Sequence, residues 1–312
     1  MRRSKDFLLL YLKGLGMGAA DVIPGVSGGT IAFITGIYEE LIQSIKSIDV
    51  GALVLLKKFE LAAFWKKING SFLLTVISGA VTSLVSLAKL MNYLLTTYPI
   101  PVWSFFFGLI LISAPLILKD IKGWSIGVAL AGIAGVAFAF WITFISPVET
   151  PSHLLFIFFC GALAICAMIL PGISGAFILL LLGKYEFIIN SLVQLEIWVL
   201  ITFISGCIVG ILSFSRFLSW ILTHYRSPTL ALLSGFMLGS LNKVWPWKEV
   251  TVFRINSEGQ QIPAFDRSIW PGEYLSKTGH DPQIFQAILF VALGILIVVF
   301  VEKLAMAFKH NP

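Results

Sequence analysis

The sequence predicts an all-α polytopic membrane protein, arranged as an inverted repeat with one re-entrant helical hairpin and three transmembrane helices in each half. Three observations carry that expectation. The 312 residues are 58% hydrophobic and only 12% charged, with a mean hydropathy of +0.93, whereas soluble domains hold about 25% charged residues. A Pro-Gly-Val-Ser-Gly run at Pro24–Gly28 returns as Pro-Gly-Ile-Ser-Gly at Pro171–Gly175, 147 positions later. The lysines and arginines gather in short stretches between apolar runs, and the short loops Thr96–Ile100 and Ser146–Ser152 on the opposite side hold none. That is the positive-inside pattern.

The duplication extends past the motif. Between 20–45 and 167–192, 11 of 26 positions are identical, so a whole hairpin is repeated rather than a pentapeptide. Gly36, Tyr38 and Glu39 return as Gly183, Tyr185 and Glu186. From 75–113 to 202–240, 12 of 39 positions match at an offset of 127. The smaller offset places a deletion in the second copy, where 46–70 has only a short counterpart near 191–198. A doubled, Gly/Pro-interrupted apolar segment is the strongest sequence pointer to a binding site in a secondary transporter.

The first half covers 1–147. Its hairpin, 7–42, consists of Phe7–Ala20 and Val26–Ile42 on either side of Pro24-Gly25, each arm short for the roughly 20 apolar residues of a crossing. Arg2, Arg3 and Lys5 read as cytoplasmic anchors of a retained segment rather than as a signal, since no A-x-A-type cleavage site follows. Lys46–Gly70 reads as an amphipathic cytoplasmic surface segment. Phe72–Leu95, Pro101–Leu118 and Ile126–Ile145 read as spans. The second half, 148–312, repeats the order: a hairpin at 154–190 (Leu154–Leu170 and Ile173–Asn190 around Pro171-Gly172), then spans at Ile197–Leu222, Pro228–Val244 and Ile284–Val301. Trp245–Pro282 becomes an outer loop of mixed charge.

Orientation follows from charge. With each hairpin entering and leaving on one side, Arg2, Arg3 and Lys5 share a face with Lys46, Lys57, Lys58, Lys66, Lys67, Lys119, Lys122, Arg226, Lys303 and Lys309, while Thr96–Ile100 and Ser146–Ser152 hold no Lys or Arg. Both termini are then cytoplasmic. Three crossings per half are an odd number, which turns the second copy upside down.

The chemistry concentrates at the breaks. Proline starts a helix well and glycine permits close backbone approach. The amides after Pro24 are expected to stand open and, with the helix dipole, to hold an anion. Ser27, Gly28, Gly29 and Thr30 form the first cradle. Ser174 and Gly175 form the second, made less polar by Ala176 and Phe177. The alternative is that these small residues only allow tight helix packing. Lys89 aligns with Arg216, one cation toward each mouth of a central anion site, unless each merely snorkels to the head groups. Asp21, before the first break, is the leading candidate for coupling to a proton or sodium gradient, and Met168 replaces it in the second copy. Glu39 and Glu186 are further coupling candidates, or interfacial residues beside belt tyrosines Tyr38 and Tyr185.

Cys160, Cys166 and Cys207 lie in apolar runs and read as small core residues. His153, His224, His280 and His310 show no metal-ligand spacing. No cofactor, metal or nucleic acid is expected.

The run Gly18-Ala19-Ala20-Asp21-Val22-Ile23-Pro24-Gly25-Val26-Ser27-Gly28-Gly29-Thr30 resembles the bacterial polyprenyl-phosphate transporter family. The likeness continues through the second motif and its Gly183-Lys184-Tyr185-Glu186 sequel. The resemblance implies a flippase that returns undecaprenyl phosphate from the outer to the inner leaflet for cell-envelope synthesis. Two rivals stay open. Undecaprenyl-diphosphate phosphatases share re-entrant hairpins with a Pro-Gly-x-Ser core, but there an arginine follows the core serine, with paired glutamates nearby. Here Gly28-Gly29 and Gly175-Ala176 fill those places, which removes the electrostatic support of phosphoryl transfer. The other rival is a small-anion transporter or channel, which would lack the lipid-open groove that a polyprenyl tail requires.

Overall fold

The computed structural model describes residues 4–21, 26–119, 121–145, 150–255 and 261–310. The expected Pro24-Gly25 break, Arg2 and Arg3 lie outside the described residues, as does the boundary between the halves at 147–148. The first half contains α1 (Ser4–Asp21), α2 (Gly28–Ile34), α3 (Tyr38–Lys46), α4 (Val50–Lys57), α5 (Leu61–Lys67), α6 (Gly70–Thr97), α7 (Pro99–Leu118) and α8 (Ile126–Ile142). The second half contains α9 (Leu154–Ile169), α10 (Gly175–Leu181), α11 (Tyr185–Val193), α12 (Ile197–His224) and α13 (Arg226–Ser240). The chain then continues through β1 (Lys248–Ile255), β2 (Gln261–Ser268), α14 (Pro271–Thr278) and α15 (Ile284–His310).

Among the described residues, three stretches are long and apolar enough to cross a membrane: Gly70–Leu87, Pro99–Leu118 and Ile197–His224. Ile126–Ile142, Leu154–Ile169 and Ile284–Phe300 are apolar but shorter. At 1.5 Å per residue, the 15 residues of α13 reach only about 22 Å, so Pro228–Val244 is not a full-length span. Its last residues leave the helix at Leu241.

The second arm of each hairpin is also shorter than expected. It ends at a glycine in the left-handed region, Gly36 (φ 73°) and Gly183 (φ 62°), and a new helix starts two residues on. In the second copy the two pieces meet at 109°. A side chain is strained at such φ values, which explains the repeated glycine.

Helix pairing repeats between the halves. A Cβ added at Gly14 would run into the carbonyl oxygen of Val76, and one at Gly79 into that of Tyr11. The equivalent positions behave alike, Gly161 against Phe203 and Gly206 against Phe158. Hence α1 packs on α6 as α9 packs on α12, with glycines letting the backbones touch. The remaining pairs cross between halves. Gly108 of α7 meets Val291 of α15 and Gly294 meets Phe105, while Gly235 of α13 meets Gly132 of α8 and Gly135 meets Leu232. We expect Gly206→Leu and Gly79→Leu to lower the melting temperature in detergent by similar amounts, since each forces the same pair of backbones apart; overpacking of this kind costs about 1–3 kcal/mol.

The buried core runs through both halves, joining Val26, Ala32, Tyr38, Ile110, Leu233 and Met237. Large apolar side chains also cover the outside, for example Ile197, Ile201, Ile204 and Ile208 along one face of α12. Exposed apolar surface on this scale suits lipid rather than water.

The 245–282 segment is not a loop, and the molecule is not purely α-helical. β1 and β2 pair antiparallel, Lys248 opposite Ser268 and Glu249 opposite Arg267, and α14 follows. The alternation in Lys248-Glu249-Val250-Thr251-Val252 is strand-like, and Trp247, Ile269, Ile100 and Ala287 give the hairpin its own small core.

Candidate functional site

The two motifs meet. α1 ends at Asp21, whose Oδ1 accepts the Gly28 amide at 2.7 Å. Ser27 is extended (φ −122°, ψ 136°) and caps α2, its Oγ accepting from the Gly29 amide at 3.1 Å. The same hydroxyl donates to the Met168 carbonyl at the end of α9, at 2.7 Å. In return, the Gly172 amide donates to Thr30 Oγ1 at 2.9 Å. Gly172 has φ +85°, and a Cβ there would lie 2.8 Å from the Phe236 carbonyl oxygen. A Cβ on Gly29 would strike the Ile169 carbonyl. Ser27 and Thr30 are fully buried, and Gly28, Gly29, Ser174 and Gly175 are buried as well.

One expectation needs correcting. The amides at the start of α2 do not stand open: the Asp21 carboxylate and the Ser27 hydroxyl already hold Gly28 and Gly29. A carboxylate at a helix start is itself favourable, because the unpaired amides and the dipole attract negative charge. The second copy differs. Met168 stands in for Asp21, and Ser174 makes no side-chain cap on α10.

Lys89 falls within α6, and its side chain is outside the described part of the structure. Arg216 is exposed; it donates to Leu212 O (2.6 Å) on its own helix and to Ile48 O (2.9 Å) beyond α3. Around it, Ser219 Oγ accepts from Gln43 Nε2 (2.9 Å) and Lys46 Nζ (3.1 Å), fastening α3 to α12. Glu39 pairs with Arg226 at 2.8 Å near the surface. Glu186 is half-buried at the start of α11. Tyr38 is no belt residue: it is 2% exposed and packs edge-on to Phe33 at 4.9 Å. Its position directly after the Gly36 turn carries it inward.

Other cations escaped the sequence reading. Lys13 Nζ donates to Thr35 O at 2.7 Å, where α2 ends. The buried Lys184 donates to Thr150 O (2.6 Å) and Ser152 Oγ (2.9 Å). Lys243 follows α13, pairs with Asp266 of β2 at 2.7 Å and lies 5.0 Å from the centre of the Phe177 ring, in the second motif. Lys248 joins the same carboxylate at 3.3 Å and covers the Trp103 ring at 3.8 Å. A lysine just after an apolar run was the available signal for Lys243.

Burial pulls Lys248 down to about 8, although Asp266 opposes the change. Burial alone would raise Asp266, but Lys248 and Lys243 together bring it to about 2. The folded carboxyl therefore titrates below its ordinary value near 4. Its contribution to hairpin docking is complete above about pH 4 and is lost as pH falls through about 2. Emission from Trp245, Trp247 and Trp270 in an acid titration should shift in that window, and Asp266→Asn should abolish the shift.

Apolar helices with exposed apolar faces, around a buried seam of backbone and hydroxyl groups, mark a polytopic helical membrane protein. Residues 17–262 match the family described as VCA0040-like: Undecaprenyl phosphate translocase-like, and the chain belongs to that family. It is 46% identical over 303 residues to a polyprenyl-phosphate transporter of Vibrio cholerae serotype O1, with 97% of this chain and 98% of the relative covered. It is 35% identical over 254 residues to a polyprenyl-phosphate transporter of Staphylococcus aureus, covering 75% and 85%. No solved structure matches the chain.

Proposed function

We propose that this chain is a flippase that returns undecaprenyl phosphate across the bacterial plasma membrane, and that the head group crosses at the seam between the two motifs. The bonds Ser27 to Met168 and Gly172 to Thr30 carry this reading, because they join the start of α2 directly to the end of α9 and the second motif. The Ser27 hydroxyl and the Gly172 amide, which bridge the seam, and the Gly28 and Gly29 amides at the start of α2 are the donors a phosphate needs. That Gly28 already holds a carboxylate supports its affinity for anions. The names of the relatives support the substrate class.

In this scheme the halves are oppositely oriented and rock about the seam. The exchanged pairs α7–α15 and α8–α13 form the frame. The contact of α3 with α12, through Gln43, Lys46, Ser219 and Arg216, closes the cytoplasmic side. Lys89 receives the head group from outside, Ser174 and Gly175 pass it on, and Arg216 releases it inward. Proton or sodium binding at Asp21 frees the Gly28 amide, with Glu39 and Glu186 as secondary coupling groups. The chain acts as a transporter rather than an enzyme.

Proteoliposomes holding purified protein and labelled undecaprenyl phosphate test the reading. Lipid should cross without release of free phosphate. Phosphate release would point instead to a phosphatase, and anion conductance without lipid crossing would point to a channel.

A further inference from the structure

Below the β1–β2 hairpin lies a cavity of about 310 Å³, lined by Thr143, Asn242, Lys243, Asp266, Arg267 and Ser268, among others. Lys243 and Arg267 face it, and Lys248 stands behind on the same carboxylate. Two lysines pair with Asp266 and Arg267 lines the same pocket, so its cations outnumber that one carboxylate. The acid does not fill the role of a fixed structural partner alone. It occupies, as a tethered anion, the place a mobile anion would take.

A second, apolar groove lies one helical turn away. Asn242 Nδ2 bonds Thr143 Oγ1 at 2.6 Å, tying the ends of α13 and α8. One turn back along both helices, Leu238 and Phe140 line an apolar groove of about 450 Å³ that continues past Val136, Ala137 and Gly132 toward Trp124. A charged pocket one helical turn from an apolar trough on the same helix pair matches a molecule with an anionic head and a hydrocarbon tail. A free anion would have no use for the trough.

We propose that this pocket captures the phosphate head of a polyprenyl phosphate at the outer face, with Lys243 and Arg267 taking the charge and the first prenyl units lying between α8 and α13. The site rests on the flippase reading and gives it a docking stage before the seam. The head group displaces Asp266 from Lys243. Lys243 also reaches Phe177, so the captured phosphate sits beside the second motif.

The test uses the full chain in nanodiscs, titrated with undecaprenyl monophosphate, undecaprenol and inorganic phosphate. Losing a charge-assisted contact costs about 1.5–3 kcal/mol, so Lys243→Gln and Arg267→Gln should each weaken binding of the lipid phosphate about tenfold or more. Ala137→Trp fills the exposed trough and should weaken lipid binding while leaving inorganic phosphate unaffected. If Lys243→Gln fails to fold, the exposed Arg267 decides alone. Wild-type affinity in the charge variants overturns the proposal. So does inorganic phosphate that binds as tightly as the lipid, with Ala137→Trp without effect. Proteoliposome transport separates the two readings. Wild type that moves lipid while the charge variants bind normally sinks the capture site and spares the flippase. Wild type that binds through Lys243 yet moves no lipid does the reverse.

Discussion

Asp21→Asn should leave the protein folded and stop gradient-driven transport. Asparagine keeps an oxygen where Oδ1 now accepts the Gly28 amide at 2.7 Å, so the start of α2 stays capped. What disappears is the charge that a proton or sodium ion would neutralise, and carboxylates at membrane depth are costly unless they serve such a purpose. Net lipid movement in proteoliposomes with an imposed gradient should fall at least about tenfold, a barrier increase of about 1.4 kcal/mol. Asp21→Ala should do more harm to the fold, because it leaves a buried amide unpaired at about 1–3 kcal/mol. If Asp21→Asn moves lipid at the wild-type rate and still responds to the gradient, coupling resides elsewhere.

Gly29→Val should prevent the two motifs from closing on each other. Any side chain at this position meets the backbone carbonyl of Ile169, and a backbone atom held in a helix end cannot turn aside as a flexible side chain would. Overpacking costs about 1–3 kcal/mol in ordinary cores. Here it also breaks the register that places Thr30 under the Gly172 amide. Both thermal stability and transport should drop. The corresponding position in the second copy supplies the control: Ala176 already carries a Cβ and is only half-buried, so Ala176→Val should be nearly silent. Equal damage at the two positions would mean that the seam is not the sensitive element.

Much of this was legible in the sequence. The repeated motif announced the seam, because Gly28, Gly29 and Gly172 are required wherever backbones touch or φ turns positive. The pairing of Gly36 with Gly183 was visible as a repeat, but its meaning as a turn depends on backbone angles that no periodicity reports. The capping of Gly28 by Asp21 was hidden for a related reason: it joins groups seven positions apart, which no helical or strand period pairs. The hairpin at β1–β2 was obscured by its charge, since Lys248, Glu249, Arg267 and Asp266 read as solvated loop until they are seen paired. Lys243 was overlooked because a lysine at the end of an apolar run is usually an anchor, and only the returning strand supplies its partner. Helix partnership was not legible at all. Composition says that α7 and α8 are apolar, and nothing about which neighbours they choose.

That choice of neighbours bears on how the molecule is made. The Gly108 face of α7 fits α15, which leaves the ribosome long after it, and the α8 face fits α13. Through most of synthesis, therefore, two finished helices of the amino-terminal portion wait in the bilayer with their close-fitting sides uncovered. Biogenesis has to be completed as a single late event, and a nascent chain arrested before Ile284 should be a substrate for membrane quality control rather than a stable half-molecule.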